Sequence, residues 1–297
     1  MTAPRQILPD TTYLITRRCS DRRFFLKPLP IVNQVFGYLV AVVAARFGVE
    51  VHAACVLSNH YHLVLTDREA ILPRFVQQLN GTLARFLNKL HGRKENVFPS
   101  GSYSAVELAD EGAVMEACAY TLANPVVAGL VARASEWPGL WSAPGEIGGS
   151  PRVYERPPLF FDRKGGMPTA ASLAFTVPRG FEPEAFRKAL AAELEARERA
   201  AAELMKAEEK EWLGVARIMA QSPEERATGE EKPQGHKNHV SAASVWSWLL
   251  TAARRHLFRK EYGNALHAYR AGKRTTCFPS GTFLLRVHLG VECAAAG

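Results

Sequence analysis

Cysteine is scarce in this chain of 297 residues, and its placement excludes more than its number does. The five cysteines (Cys19, Cys55, Cys118, Cys277 and Cys293) are scattered, odd in number and never spaced C-x-x-C. Neither a disulfide framework nor a cysteine zinc site follows, and a reducing, cytoplasmic setting is expected. Long apolar runs are also missing. The longest lies inside "VFGYLVAVVAARFG", residues 35–48, too short for a bilayer and readable as a buried helix, so no membrane partner is expected. The opening "MTAPRQILPD" lacks the basic and apolar regions of a signal peptide.

Acid is lacking in one place only. Residues 1–231 hold 27 Lys+Arg and 27 Asp+Glu, whereas residues 232–297 hold 10 against 2, so the whole net charge of +8 sits in the last quarter. A polyanion is one partner for such a segment, and a solvated basic helix face is the plainer alternative. Apolar residues at 47% and charged residues at 22% are ordinary for a globular chain, long enough here for one large domain or two modest ones.

What is present is a regular alternation of elements. Residues 11–26 begin as a β-rich run. Apolar positions 32, 35, 36, 39, 42, 43 and 47, closed by Gly48, predict a helix apolar nearly all round. "VEVHAACVL" and "HYHLVLT" read as two strands joined by Ser58-Asn59. A second helix is predicted over 72–90, a fourth strand over 102–108, and a third helix from Glu111, capped by Asp110, to about Asn124. Pro125 is expected to kink or end it. This order predicts an α+β fold, a ferredoxin-like split βαβ antiparallel sheet followed by one more helix. Gly, Pro and Ser crowd 138–158, and mainly helical segments are expected over 181–212 and 242–271. The division expected is 1–145 as one domain, 146–180 as a linker and 181–297 as a mainly helical basic region.

His60 and His62 in "CVLSNHYHLVLTD" stand two apart on a predicted strand and therefore share a face, with Tyr61 turned the other way. Two adjacent imidazoles can chelate a cation; two half-buried polar residues on a sheet surface are the bland alternative. Tyr120 and Asn124 in "VMEACAYTLANPVVAGLV" lie one helical turn apart. Tyrosine is a candidate nucleophile and the amide oxygen a hard ligand, although an interface aromatic and a helix-terminal cap explain them equally. Two imidazoles and an amide oxygen, without thiolate, suit Mg²⁺ or Mn²⁺.

"NHYHLVL" and "YTLANPVVAGLV", in this order, resemble the HUH single-tyrosine transposases of the IS type, and within them the REP-associated tyrosine transposase branch. The resemblance covers roughly residues 10–142. It implies cleavage and rejoining of single-stranded DNA, often hairpin-containing, through a 5′-phosphotyrosine link. It assigns Tyr120 as the nucleophile and His60, His62 and Asn124 as ligands of a divalent metal. A phenol of pKa near 10 is only about 0.1% ionised at neutral pH, so Lewis-acid help at the phosphate makes chemical sense. Ser58 departs from the family, which often has proline there. Arg17, Arg18, Arg22 and Arg23 are candidates for lining the DNA path, or for a charged sheet edge that prevents pairing. Arg254, Arg255, Arg259 and Lys260 are further phosphate candidates, because no acid near them in sequence except Glu261 offsets them. A host-adopted DNA-binding protein of the same fold, and a structured-RNA binder, are the competing readings.

Overall fold

The computed structural model describes residues 4–101, 103–158, 160–161, 165–228 and 239–295. Residues 222–239 are polar in sequence and expected to be loop-like; their part at 229–238, and Ser102 of the expected fourth strand, lie outside the described residues.

The first six elements are β1 (Thr11–Arg18), α1 (Pro30–Phe47), β2 (Val49–Val56), β3 (His60–Asp67), α2 (Leu72–Leu90) and β4 (Ser104–Leu108). The strands assemble in the order β2-β3-β1-β4, all neighbours antiparallel, which is the split βαβ sheet. Leu57 N–H donates to His60 O at 2.8 Å, so Ser58 and Asn59 form the two-residue hairpin that the sequence suggests.

Helices α1 and α2 cover one face. Tyr61 points into it, its ring edge-on to Phe36 of α1 and its hydroxyl donating to Asn80 Oδ1 of α2 at 2.8 Å. Helix α1 is apolar enough to pass for a membrane span by composition, but here ten of its residues are buried in the core. The outer side of α1 is covered by a hairpin, β5 (Arg152–Glu155) and β6 (Ala170–Leu173), within the segment read as a linker. A Cβ at Gly37 would run into the Tyr154 ring, so the close approach of hairpin and helix needs glycine there.

Helix α3 (Glu111–Val127) crosses the opposite face of the sheet. It has no clean amphipathic stripe because it is covered twice: the sheet lies beneath it and α4 (Pro183–Ala207) packs along its outer side. Pro125 does not end the helix at Asn124; the helix runs to Val127. Proline there is tolerated in the last turn, since Gly129 at φ 70° closes the helix, its N–H donating to Val126 O and that of Leu130 to Pro125 O. The sequence "GLV" is thus a helix stop.

The remaining elements are α5 (Val215–Ala220), β7 (Val240–Ser241), α6 (Val245–Arg270) and α7 (Leu284–Leu289). Strand β7 adds to β4 in parallel as a fifth strand. One helix was expected over 181–212, but it stops at Ala207.

Candidate active site between the sheet and helix α3

The site is built where the start of β3 passes under α3. Alternation along β3 turns His60 and His62 to the α3 face, with ring centroids 4.8 Å apart. Neighbouring β1 places Thr16 opposite His62, and Thr16 Oγ1 lies 2.8 Å from His62 Nδ1. His60 Nδ1 lies 2.6 Å from Asn59 Oδ1. Each imidazole is therefore oriented through Nδ1, leaving Nε2 for other partners.

From above, α3 contributes Tyr120 and Asn124 from consecutive turns. The Tyr120 ring stands edge-on to His62 at 5.3 Å between centroids, and Asn124 Nδ2 lies 3.2 Å from His62 Nε2. Asn124 and His62 are buried, whereas Tyr120 is 40% exposed. The nucleophile candidate is open to solvent beside a buried polar floor.

Burial pushes the His60 imidazole down to about 4, with the Arg18 guanidinium adding to the effect. His62 is held well below its ordinary value by burial first and then by the charges of His60 and Arg18. Both rings are neutral at pH 7, the form that ligates a metal. Among the described residues no three or more His, Cys, Asp or Glu side chains converge, so any cation here relies on the two imidazoles and the Asn124 amide.

The structure sorts the basic candidates. Arg18 pairs in register with His60, and its charge reaches both histidines. The Arg22 charge also bears on His60. Arg17 is turned the other way, over the Phe98 ring and donating to Pro99 O at 2.8 Å. Arg23 is paired with Glu224, which also accepts from Arg93 at 2.8 Å. Arg254 and Arg255 do have an offsetting acid: both bind the buried carboxylate of Glu107 on β4, Arg255 at 3.1 Å. That acid is invisible locally because it is 147 residues away from Arg254. Arg259 and Lys260 are exposed on α6, distant in sequence from the histidines. His52 is tied to Thr66 Oγ1 at 2.7 Å and Thr176 O at 2.9 Å, a structural histidine.

Thr16 and Asn59 are the site residues that the sequence reading missed. Asn59 adjoins the motif, and Thr16 is found once β1 is registered against β3.

Residues 9–120 match the family described as "Transposase IS200 like", a stretch that runs from before β1 through Tyr120. This part of the chain is similar to the IS200-like transposases. Two solved structures are similar to this chain. One is a REP-associated tyrosine transposase bound to a REP hairpin, 20% identical, covering 47% of this chain and 81% of that one with a TM-score of 0.38. The other is a candidate transposase from Deinococcus radiodurans, 21% identical, covering 36% and 85% with a TM-score of 0.28. No curated protein matches the chain.

Proposed function

We propose that the chain cuts and rejoins single-stranded DNA, with Tyr120 as nucleophile. The observation that carries this reading is the convergence of Tyr120 and Asn124, one turn apart on α3, on the neutral His60–His62 pair. Tyr120 Oη would attack a phosphodiester, forming a 5′-phosphotyrosine, releasing a 3′-OH and passing the phenol proton to water at its exposed edge. The covalent link conserves the energy of the broken bond, so the reverse attack by a 3′-OH rejoins the strand without ATP.

The donor set fits a divalent cation. Both Nδ1 atoms are occupied by Thr16 and Asn59, so His60 Nε2, His62 Nε2 and, after rotation of its amide, Asn124 Oδ1 would hold the ion. Nitrogen and amide oxygen ligands without thiolate favour Mg²⁺ or Mn²⁺ with water. Bound there, the cation would polarise the scissile phosphate. Arg18 lies on the same face and would meet a neighbouring phosphate. We assign the chemistry to residues 1–145 and give residues 181–297 an accessory part in holding the DNA.

The test is covalent trapping. Protein, Mg²⁺ or Mn²⁺ and end-labelled single-stranded oligonucleotides from the gene's flanks, with and without a hairpin, are resolved on a denaturing gel beside Tyr120→Phe. A metal-dependent adduct to the downstream fragment, absent in the variant, supports the reading. A native-gel shift without any adduct favours the DNA-binding alternative, and equal or tighter binding to the RNA version favours the RNA reading.

A further inference from the structure

The segment that follows α5, residues 222–227, is laid against the loop that leaves β1. Phe24 N–H donates to Glu225 O at 3.0 Å and Ala227 N–H to Arg22 O at 3.3 Å, and Arg23 and Arg226 form an antiparallel bridge. Glu224 fastens the two together from the side. Its carboxylate accepts from Arg93 at 2.8 and 2.9 Å and from Arg23. The turn held in this way is not one the chain adopts freely. Asp21 at φ 54° and Arg22 at φ 56° are successive non-glycine residues in the left-handed region, a backbone that persists where its surroundings hold it.

One carbonyl of that turn reaches the histidines. Arg22 O, which accepts from Ala227 N–H, also accepts from Asn59 Nδ2 at 3.2 Å, and Asn59 Oδ1 lies 2.6 Å from His60 Nδ1. An amide side chain has one donor end and one acceptor end, and a carbonyl can only accept. Nδ2 therefore faces Arg22, Oδ1 faces His60, and the imidazole carries its proton on Nδ1. Nε2 is left as the bare nitrogen, the one a cation needs.

We propose that residues 222–227, clamped by Glu224, position His60: they hold the Arg22 carbonyl on Asn59, which fixes the tautomer and direction of the ring. Glu224 is a positioning residue that acts through Arg23, Arg22 and Asn59. The chain beyond α5 then completes the site as well as holding DNA. His62 is free of this control, because its Nδ1 meets Thr16 on β1. The consequence for a bound cation rests on the proposed strand-cutting function, whereas the tautomer of His60 does not.

Nitrogen-15 NMR of the metal-free full chain, labelled at histidine and held at neutral pH, reads the tautomer. Mn²⁺ titration followed by electron paramagnetic resonance reads the affinity. Wild-type His60 should be almost wholly in the Nδ1–H form. Asn59→Ala and Glu224→Ala should each release it toward the Nε2–H form that free imidazole prefers, with His62 unchanged as the internal reference. Mn²⁺ binding should weaken by about tenfold or more in Asn59→Ala and by about a few-fold in Glu224→Ala. The two losses should not add, since the clamp acts through Asn59. Glu224→Gln, which keeps the shape but not the charge, should give a smaller shift in the same direction. Glu95→Gln takes a different carboxylate from Arg93, 3.2 Å away, and should leave His60 as it is. Circular dichroism shows whether each variant is folded. An unchanged His60 tautomer in folded Glu224→Ala or Glu224→Gln overturns the proposal, as do losses that add in full. A wild type that binds no Mn²⁺ yet shows the tautomer shifts supports the positioning of His60 and counts against the metal reading alone.

Discussion

Helices α1 and α6 show two ways of holding a helix in one chain. The 18 residues of α1 include ten that are buried, between the sheet and the β5–β6 hairpin. The 26 residues of α6 bury two, and the helix is tied down by charge: Arg254 and Arg255 to Glu107, and its first turn to Asp110. Asp110 also accepts from Ala113 N–H at 2.8 Å, so one carboxylate caps α3 and fastens α6. The sheet and helices that carry the histidine pair and tyrosine are stabilised by burial, whereas α6, in the basic last quarter, is held at the sheet edge through β7 and a few polar contacts. Burial is non-directional and collective, whereas a polar dock depends on individual partners.

This contrast can be tested by substitution. The largest effect is chemical: Tyr120→Phe should lower adduct formation by more than about 10⁴-fold while leaving the melting temperature nearly unchanged, because the ring edge is exposed. Next, Phe36→Ala on α1 should lower unfolding free energy by about 3–5 kcal/mol in urea titrations. Asn264→Ala on α6 should change it by no more than about 0.5 kcal/mol. Equal effects would erase the distinction between the helices. Glu107→Gln should lie between them, with a loss of about 1.5–3 kcal/mol and faster proteolysis within α6, as two guanidiniums lose their carboxylate.

The smallest effect is a drift with pH. His52, His60 and His62 all sit below their ordinary value of 6.5 because burial disfavours the cation. The unfolded chain therefore takes up protons before the folded one does. Their contribution is complete above 6.5 and drains as pH falls toward about 4, so the urea midpoint should drop between pH 7 and pH 5. Replacing His60 with Asn should flatten that slope.

Much of the sheet half was legible because its information is local. The period of two in "HYHLVLT" sets both histidines on one face, and the period near four sets Tyr120 and Asn124 on another. Gly48 ends α1 at φ 61°, Asp110 caps α3, and Ser58-Asn59 turns the hairpin, each from its own chemistry. The misses share a cause. Glu107 and Arg254, Thr16 and His62, and the β5–β6 hairpin and α1 are joined by contacts between segments distant in sequence, which no window of periodicity contains. Pro125 is the exception, a local miss: read as a breaker, it sits inside the last turn of α3, which Gly129 closes two residues after Val127.

The sequence by itself determined which side chains share a face, His60 with His62 and Tyr120 with Asn124, since side-chain direction follows from backbone period within a few residues. Only the tertiary structure decided that the two faces meet, that α3 lies between sheet and α4, and that two of the basic candidates share the single carboxylate of Glu107. Those outcomes depend on how layers stack and on which distant charges come within a few ångströms, which is a property of packing and not of spacing along the chain.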